Sequence, residues 1–237
     1  MEKILIIIPA FNESENIRQV VDEIRASQPS ANIAVVNDCS TDNTESVVRE
    51  IGETLLPLPY NLGIGGAVQT GLMYARDNRF DIAVQVDGDG QHPAGEIEKL
   101  LGPIRSGDAD VVIGSRFLGT GDFKSTFTRR IGIRIIEIMN RMLTGVAVTD
   151  NTSGFRAYNS SAIEFLSTTY PQDYPEPVAV VELYRNGFRI NEVAVEMRER
   201  QKGTSSIGAL GSIYYMIKVL VANLIAVSRK PMAKEGD

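Results

Sequence analysis

The densest group of residues that could do chemistry is the segment 86–93, VDGDGQHP. Asp87 and Asp89 are two residues apart and follow an apolar run directly, so an extended chain can point both carboxylates to one side. Gln91 repeats this spacing with a neutral oxygen, and Gly88 lets the backbone approach a ligand closely. Oxygen ligands of this kind suit Mg²⁺ or Mn²⁺, which commonly join carboxylates to phosphates. The segment predicts a divalent-metal site; a turn whose aspartates cap the next helix is the alternative.

Two further carboxylates follow other apolar runs. Asp38 comes just after the second run, where it could accept hydrogen bonds from a ribose or a base; capping the turn at 40–44 is the alternative. Glu13 follows the first run, and its alternative is a solvated position at a helix start.

Other catalytic motifs fit poorly. The segment 86–93 lacks the downstream pattern of a calcium loop. The glycine-rich stretch 61–71, NLGIGGAVQTG, matches neither dinucleotide nor phosphate-loop motifs, which favours close packing of a helix on a sheet. His92 is the only histidine, and no G-x-S-x-G motif accompanies it, so a Ser-His-Asp hydrolase is not indicated.

These residues must be positioned by alternating elements in the first 115 residues. Continuous apolar runs predict strands that are buried on both faces. Apolar residues at spacings of three and four predict helices between them. The predicted strands are 4–8, 33–36, 55–58, 82–86 and 111–113. The predicted helices begin near residues 14, 41, 63 and 97.

Strands that alternate with helices predict an α/β fold with a mostly parallel sheet flanked by helices. Sites in such sheets lie beyond the carboxyl ends of the strands. The polar segments PAFNE, NDCS, DGDGQ and GSR each follow a predicted strand. We therefore expect all four to meet at one edge of the sheet.

The second half is less regular. Basic residues cluster between Arg116 and Arg141 although the net charge is −6. An amphipathic helix is predicted at 128–143, with Ile131, Ile135, Ile138 and Met142 on one face. It either packs on the domain or lies on an anionic membrane surface, and both can hold together.

The stretch 207–227, IGALGSIYYMIKVLVANLIAV, is apolar but carries Lys218 and Asn223. It is about the minimum length for a membrane span, and three interpretations stay open: spanning, docking in the membrane plane or on a partner, and internal packing. The predicted organisation is a catalytic domain at 1–205 and a membrane- or partner-associated segment with a polar tail at 206–237.

Composition sets the broad class. The chain has 237 residues, 43% hydrophobic and 23% charged, which is typical of a folded domain. One cysteine excludes an intramolecular disulfide and a cysteine zinc cluster. The acidic balance disfavours a nucleic-acid partner, and the N-terminus does not resemble a signal peptide. We expect a cytoplasmic protein.

Six segments in order resemble the inverting glycosyltransferases of family 2 with a GT-A, Rossmann-like fold. They are IIIPAFNESENI at 6–17, VVNDCSTDNT at 35–44, NLGIGGAVQTG at 61–71, VDGDGQHP at 86–93, GSRF at 114–117 and TSGFRAY at 152–158. DGDGQHP with a later TSGFR is most similar to the dolichyl- and polyprenyl-phosphate sugar transferases. In two places the chain departs from that subgroup: Asp150-Asn151 stands where Asp-Pro is frequent, and Ser205-Ser206 where Ser-Lys is frequent.

The resemblance implies roles by position. Donor binding is implied for Pro9, Phe11, Glu13, Asp38, Asp87, Gly88, Asp89, Gln91 and Arg200. Acceptor binding is implied for Arg116, Arg129, Arg130, Ser153 and Arg156, beside Gly154. Asp89, Arg116 and Arg129 are the implied catalytic residues, and Asp87, Asp89 and Gln91 the metal ligands.

The implied activity moves a hexose or N-acetylhexosamine from a UDP- or GDP-sugar to polyprenyl phosphate, for cell-envelope polysaccharide or glycoconjugate synthesis. A phosphate acceptor is already ionised at pH 7 and needs no general base. An alternative saccharide-hydroxyl acceptor would need one, such as Glu176 or Asp150. A non-catalytic nucleotide-sugar-binding subunit is the third hypothesis. We expect peripheral binding at the cytosolic membrane face; a small membrane-protein partner and a homo-oligomer are compatible with this.

Overall fold

The computed structural model describes residues 2–118, 135, 137–143, 145, 148–172 and 175–198, and several positions between 218 and 228. Those last positions are 218–219, 221–223, 225 and 227–228. All structural statements below concern these residues.

Seven strands form one sheet. They are β1 Ile4–Ala10, β2 Asn32–Asn37, β3 Thr54–Pro57, β4 Ile82–Gln85, β5 Val111–Ser115, β6 Arg156–Asn159 and β7 Ile190–Ala194. Their order is β3-β2-β1-β4-β6-β5-β7. β1 to β4 are mutually parallel, and β5 is parallel to β7. Only β6 runs against its neighbours, between β4 and β5.

Helices cover both faces. They are α1 Ile17–Ser27, α2 Thr44–Ile51, α3 Gly63–Asp77, α4 Ile97–Arg105, α5 Ser160–Thr169 and α6 Pro175–Arg185, with a 3₁₀ turn at Ala94–Glu96. One apolar layer joins α1 and α4 to the sheet, and the other joins α3 and α5 to the opposite face. Burial on both faces explains why β1 and β5 are continuous apolar runs.

The predicted strands and helices of the first half are confirmed, with ends shifted by a few residues. The strands predicted from apolar runs do not include β6, which begins with a charged residue inside the segment TSGFRAY. Arg156 is the first residue of β6, and it pairs with Gln85 on one side and Ile113 on the other. Arg156 therefore lies inside the sheet, between β4 and β5.

The glycine-rich stretch packs a helix on the sheet, as the sequence favoured. Gly71 lies so close to β1 that a Cβ atom there would be 2.3 Å from Ile7 Cγ2. Gly65 approaches the backbone at Pro171 and Gln172 in the same way. These glycines serve close packing of α3.

One side of the described C-terminal positions packs on the domain. Val219 and Asn223 are fully buried, and Ala222 and Val227 lie against Val178 and Val181 of α6. Among the described residues, no helix is both long and apolar enough to cross a bilayer. The division at residue 205 stays a prediction.

Candidate active site

The D-x-D turn lies at the carboxyl edge of the sheet, where β4 ends. Asp89 Oδ1 accepts a hydrogen bond from the Gln91 N–H at 3.1 Å, and Gly90 has a φ of +78°, which favours glycine. A Cβ atom at Gly88 would lie 3.2 Å from the Pro9 carbonyl oxygen. The ends of β1 and β4 are therefore held side by side.

His92 contacts Asp87 from the buried side of this turn. Its Nδ1 accepts the Asp87 N–H at 3.1 Å, and its Nε2 lies 3.7 Å from Asp87 Oδ2. The imidazole is buried and stacks on Phe155, with ring centroids 4.8 Å apart. Because Nδ1 accepts, a neutral ring carries its proton on Nε2, facing the carboxylate. From the sequence, His92 is considered only as a hydrolase residue, and this contact with the D-x-D turn is not predicted from it.

The turn fits a divalent cation. Asp87 Oδ1 is buried and has no hydrogen-bond partner among the described residues, which is costly for an anionic oxygen unless a cation approaches it. No cluster of three or more His, Cys, Asp or Glu side chains suited to a metal occurs in the described parts of the chain. Two carboxylates with further oxygens from Gln91, water or phosphate match the way Mg²⁺ is held at phosphate sites.

The loop after β1 borders the same turn. Phe11 is 46% exposed at this edge, whereas Pro9 is buried within β1. Glu13 is also buried: its N–H donates to Thr44 Oγ1, and its Oε2 accepts from Asn16 Nδ2 at 2.7 Å. The solvated position considered for Glu13 is wrong.

Asp38 joins the end of β2 to the start of α3. Its Oδ1 accepts the Leu62 N–H at 2.7 Å. Burial raises the pKa of this carboxyl, and the hydrogen bonds from the Leu62 and Gly63 N–H groups oppose the rise. The turn at 40–44 is instead capped by Asp42, which accepts the Thr44 N–H. The capping alternative for Asp38 is therefore wrong.

Arg116 forms a buried ion pair. Its Nε and Nη2 donate to the two oxygens of Asp150, each at 2.6 Å, and its Nη2 also donates to Thr152 Oγ1. Asp150 is fully buried, and the carboxylate of Glu192 accepts the N–H groups of Thr149 and Asp150. Burial raises the pKa of Glu192, while these hydrogen bonds lower it. The pair fixes the start of the TSGFR segment rather than leaving Asp150 as an exposed base.

Arg156 is buried beneath residues 150–155, the segment predicted to border the acceptor and named the acceptor loop below. Its Nε donates to the Ser153 carbonyl at 2.8 Å, and its Nη2 donates to the carbonyls of Asn151 and Glu176. The guanidinium has no exposed surface, and its Nη1 has no hydrogen-bond partner among the described residues, so the predicted direct contact with an acceptor is not seen in this geometry. The geometry gives Arg156 a positioning task, because it binds three backbone carbonyls. Ser153 is also buried, and its Oγ accepts the Phe155 N–H.

The acceptor loop meets the D-x-D turn at Gly154. A Cβ atom there would lie 2.9 Å from Gln85 Nε2 and 3.1 Å from Asp87 Oδ1. Only glycine fits such an approach without displacing the carboxylate. The structure thus brings the predicted metal and acceptor segments into contact.

Glu176, at the start of α6, lies within electrostatic reach of this junction. Burial raises its pKa, the Arg156 charge lowers it, and the Asp87 charge raises it further. Of the two base candidates, Glu176 is the one that is not held in an ion pair by Arg116.

Three predicted site residues, Arg129, Arg130 and Arg200, lie outside the described residues. Their roles stay predictions from the sequence.

A mostly parallel α/β sheet with an acidic turn at its carboxyl edge, closed by an antiparallel strand, defines the GT-A class of glycosyltransferase. The chain belongs to glycosyl transferase family 2, whose model matches residues 5–166. It is therefore a sugar-transferring enzyme by family.

Two of the relatives that match most of the chain are named for transfer to or synthesis of polyprenol-type phosphates. The UDP-N-acetylglucosamine–dolichyl-phosphate N-acetylglucosaminyltransferase of Methanococcus voltae is 32% identical over 213 residues, covering 81% of this chain and 84% of that protein. The polyprenol monophosphomannose synthase of Mycolicibacterium smegmatis is 29% identical over 228 residues, covering 92% and 86%.

A solved structure has the same fold. Glucosyl-3-phosphoglycerate synthase from Mycobacterium tuberculosis, in complex with Mn²⁺, UDP and glucosyl-3-phosphoglycerate, aligns with a TM-score of 0.68 at 21% identity. The alignment covers 98% of this chain and 82% of that one. At this identity the likeness concerns the fold.

Proposed function

We propose that this chain is an inverting, metal-dependent glycosyltransferase that moves a hexose or N-acetylhexosamine from a UDP- or GDP-sugar to polyprenyl phosphate. The observation that carries the proposal is the contact of the acceptor loop with the D-x-D turn at Gly154 and Asp87. The two relatives named for transfer to dolichyl phosphate and for polyprenol monophosphomannose synthesis support the choice of acceptor.

The chemistry requires few protein groups. A phosphate oxygen of the acceptor attacks the anomeric carbon, the bond from that carbon to the diphosphate oxygen breaks, and the electron pair leaves with the nucleoside diphosphate. The configuration inverts because attack and departure occur on opposite faces. The acceptor phosphate is ionised at neutral pH, so no proton needs to be removed.

The chain's own residues bind and orient. Asp87, Asp89 and Gln91 would hold Mg²⁺ or Mn²⁺, which neutralises charge on a leaving diphosphate. Phe11, Glu13 and Asp38 line the loops assigned to the nucleoside. Arg129 or Arg130 would hold the acceptor phosphate, and Arg200 would contact the donor.

The membrane would be approached from the cytosolic side. In the helical residues 137–143, Asn140 is buried, whereas Ile138 is 50% and Met142 81% exposed. The exposed face of this helix therefore carries apolar side chains beside the exposed Arg141, while the half-buried Met139 and Leu143 lie nearer the domain. Apolar residues on the outer face support peripheral association with a lipid surface.

The direct test measures transfer. Purified full-length chain with Mn²⁺ is mixed with polyprenyl phosphate and, separately, UDP-glucose, UDP-N-acetylglucosamine, UDP-galactose and GDP-mannose. We expect one donor to give lipid-linked sugar, and Asp89→Ala to lower turnover by about 100-fold or more because a metal ligand is lost. Asp77→Ala, an exposed carboxylate at the far end of α3, is the matched control and should keep full activity. Near-normal turnover of Asp89→Ala at saturating Mn²⁺ would refute the metal role.

A saccharide hydroxyl is the second candidate acceptor, favoured by the raised pKa of Glu176 beside the site. Such an acceptor needs a base, so Glu176→Gln should then abolish transfer to sugars. Acceptor profiling with lipid phosphate and free saccharides separates the two reactions. Absence of donor consumption with either would leave the non-catalytic binding subunit.

A further inference from the structure

We propose that Asn140, Asn151 and Asn223 form a buried hydrogen-bonded chain, the asparagine chain, through which the C-terminal segment positions the acceptor loop. The three are positioning residues and do not touch substrate. The acceptor role of the loop rests on the proposed function; the mechanical link does not.

The hydrogen bonds run in one direction. Asn223 Nδ2 donates to Asn140 Oδ1 at 2.8 Å, and Asn140 Nδ2 donates to Asn151 Oδ1 at 2.6 Å. Asn151 Nδ2 then donates to the Val148 carbonyl at 2.7 Å. Each of the three side chains is at most 1% exposed. Side-chain amides thereby join the C-terminal segment to residues 140 and 151, which lie more than 70 residues earlier in the chain.

The chain of contacts continues into the site. The Asn151 carbonyl accepts from Arg156 Nη2, and Arg156 Nε binds the Ser153 carbonyl one residue before Gly154. Asn140 Nδ2 also donates to the Pro177 carbonyl in α6, next to Glu176. A shift of Asn223 would therefore be transmitted to the backbone that borders Asp87.

Because these residues carry amides, we infer that they set where the C-terminal segment lies against the loop, rather than only adding to the strength of its packing. Asn223 stands among apolar neighbours, with Val219 fully buried one turn earlier and Ala222 packed on α6. An apolar side chain would bury there without the cost of desolvating an amide. A buried amide instead favours one partner geometry, because a mispaired group loses its hydrogen bond. At Asn223 this selectivity comes from Nδ2, since its Oδ1 has no partner among the described residues. The amides therefore fix the register of the C-terminal segment against the loop.

The test replaces Asn223 in the full-length chain. We expect Asn223→Leu to raise hydrogen–deuterium exchange across residues 148–156 and to raise KM for polyprenyl phosphate by about fivefold or more, with kcat changed less. Binding of Mn²⁺ with UDP or GDP, measured by calorimetry, should stay within about twofold of the parent chain, because the D-x-D turn keeps its own contacts.

Two controls separate coupling from general loss of stability. Asn186→Leu removes another largely buried amide, which lies just after α6 and donates to the Glu182 carbonyl in the last turn of that helix. It should lower the melting temperature without raising exchange in the acceptor loop. Asn140→Leu combined with Asn223→Leu should raise exchange in the acceptor loop about as much as Asn140→Leu alone, because both substitutions break the same link between Asn140 and Asn223.

The outcomes are distinguishable. The proposed coupling through the asparagine chain would be overturned if exchange in the acceptor loop were unchanged in Asn223→Leu. It would also be overturned if this exchange rose equally in Asn223→Leu and Asn186→Leu. Absence of transfer to polyprenyl phosphate by the parent chain would refute the proposed function while the exchange experiment still decides the link. If Asn223→Leu does not fold, Asn223→Ala, which removes the same amide from the C-terminal side, is measured in the same way.

Discussion

At the scale of single residues, the site is built from polar and charged side chains that are buried against other groups of the protein. Arg116 and Asp150 share two hydrogen bonds away from solvent, and His92 keeps the backbone and carboxylate of Asp87 in place. Arg156 donates to backbone carbonyls through Nε and Nη2, while its Nη1 has no partner among the described residues. Residue types that suggest substrate contact thus also build the loop that a substrate would meet.

Asp150→Ala should destabilise the folded chain by about 3–5 kcal/mol, because it leaves the Arg116 guanidinium buried without its carboxylate. Denaturant unfolding of purified protein measures this. Asp150→Leu with Arg116→Met should recover much of the loss, since no lone charge stays buried. If Asp150→Ala kept its stability but lost transfer to saccharides, Asp150 would act as the base of the alternative reaction.

At the scale of elements, the first half follows a regular alternation of strands and helices, and one strand breaks it. β6 enters antiparallel between β4 and β5 and carries the acceptor loop directly to the end of β4. On the opposite face, α3 sits close to β1 because glycine replaces larger residues at the contact. Close helix packing keeps the start of α3 beside Asp38.

Gly71→Ala should lower the free energy of unfolding by about 1–3 kcal/mol, because the new methyl group would overlap Ile7 and force the helix outward. Gly95→Ala is the matched control: nothing lies within 4 Å of a Cβ atom there, so stability should change by less than about 0.5 kcal/mol. Both are measured by thermal and denaturant unfolding. Equal effects of the two substitutions would show that the close approach of α3 carries no strain.

At the scale of the whole molecule, the described C-terminal positions and residues 137–143 are joined through Asn140 and Asn223 on their inner side. Their outer sides carry Met142 and, at 49% exposure, Ile225. The molecule therefore buries amides inward and presents apolar side chains outward in this region. That arrangement is what the proposed transfer to a lipid phosphate would require.

Ile138→Ser combined with Met142→Ser should weaken binding to vesicles of mixed neutral and anionic lipid by roughly 5- to 30-fold, as expected for losing about 1–2 kcal/mol of apolar burial. Co-sedimentation measures the effect, and transfer to a short, water-soluble polyprenyl phosphate analogue should be preserved. Met73→Ser, at an exposed apolar position on α3, is the control and should leave vesicle binding unchanged. Unchanged binding of the double variant would remove this face from the membrane proposal.

The sequence alone was sufficient to predict the alternating strands and helices and to locate the D-x-D turn. Both depend on local information: an apolar run specifies a buried strand, and aspartate and glycine at fixed spacing specify a turn that can hold a cation. The meeting of β1, β2 and β4 at one edge followed from the rule for parallel crossovers. The family segments added roles for residues at those positions.

Only the tertiary structure decided which charges are exposed. Glu13 and Arg156 are buried, Arg116 is paired with Asp150, and Asn223 reaches Asn140 across 83 residues of chain. These outcomes depend on contacts between distant segments, and burial of a charge or amide is decided by the partner that meets it rather than by its sequence neighbours. Composition predicts how many polar groups a chain has; packing determines which of them remain available to a substrate.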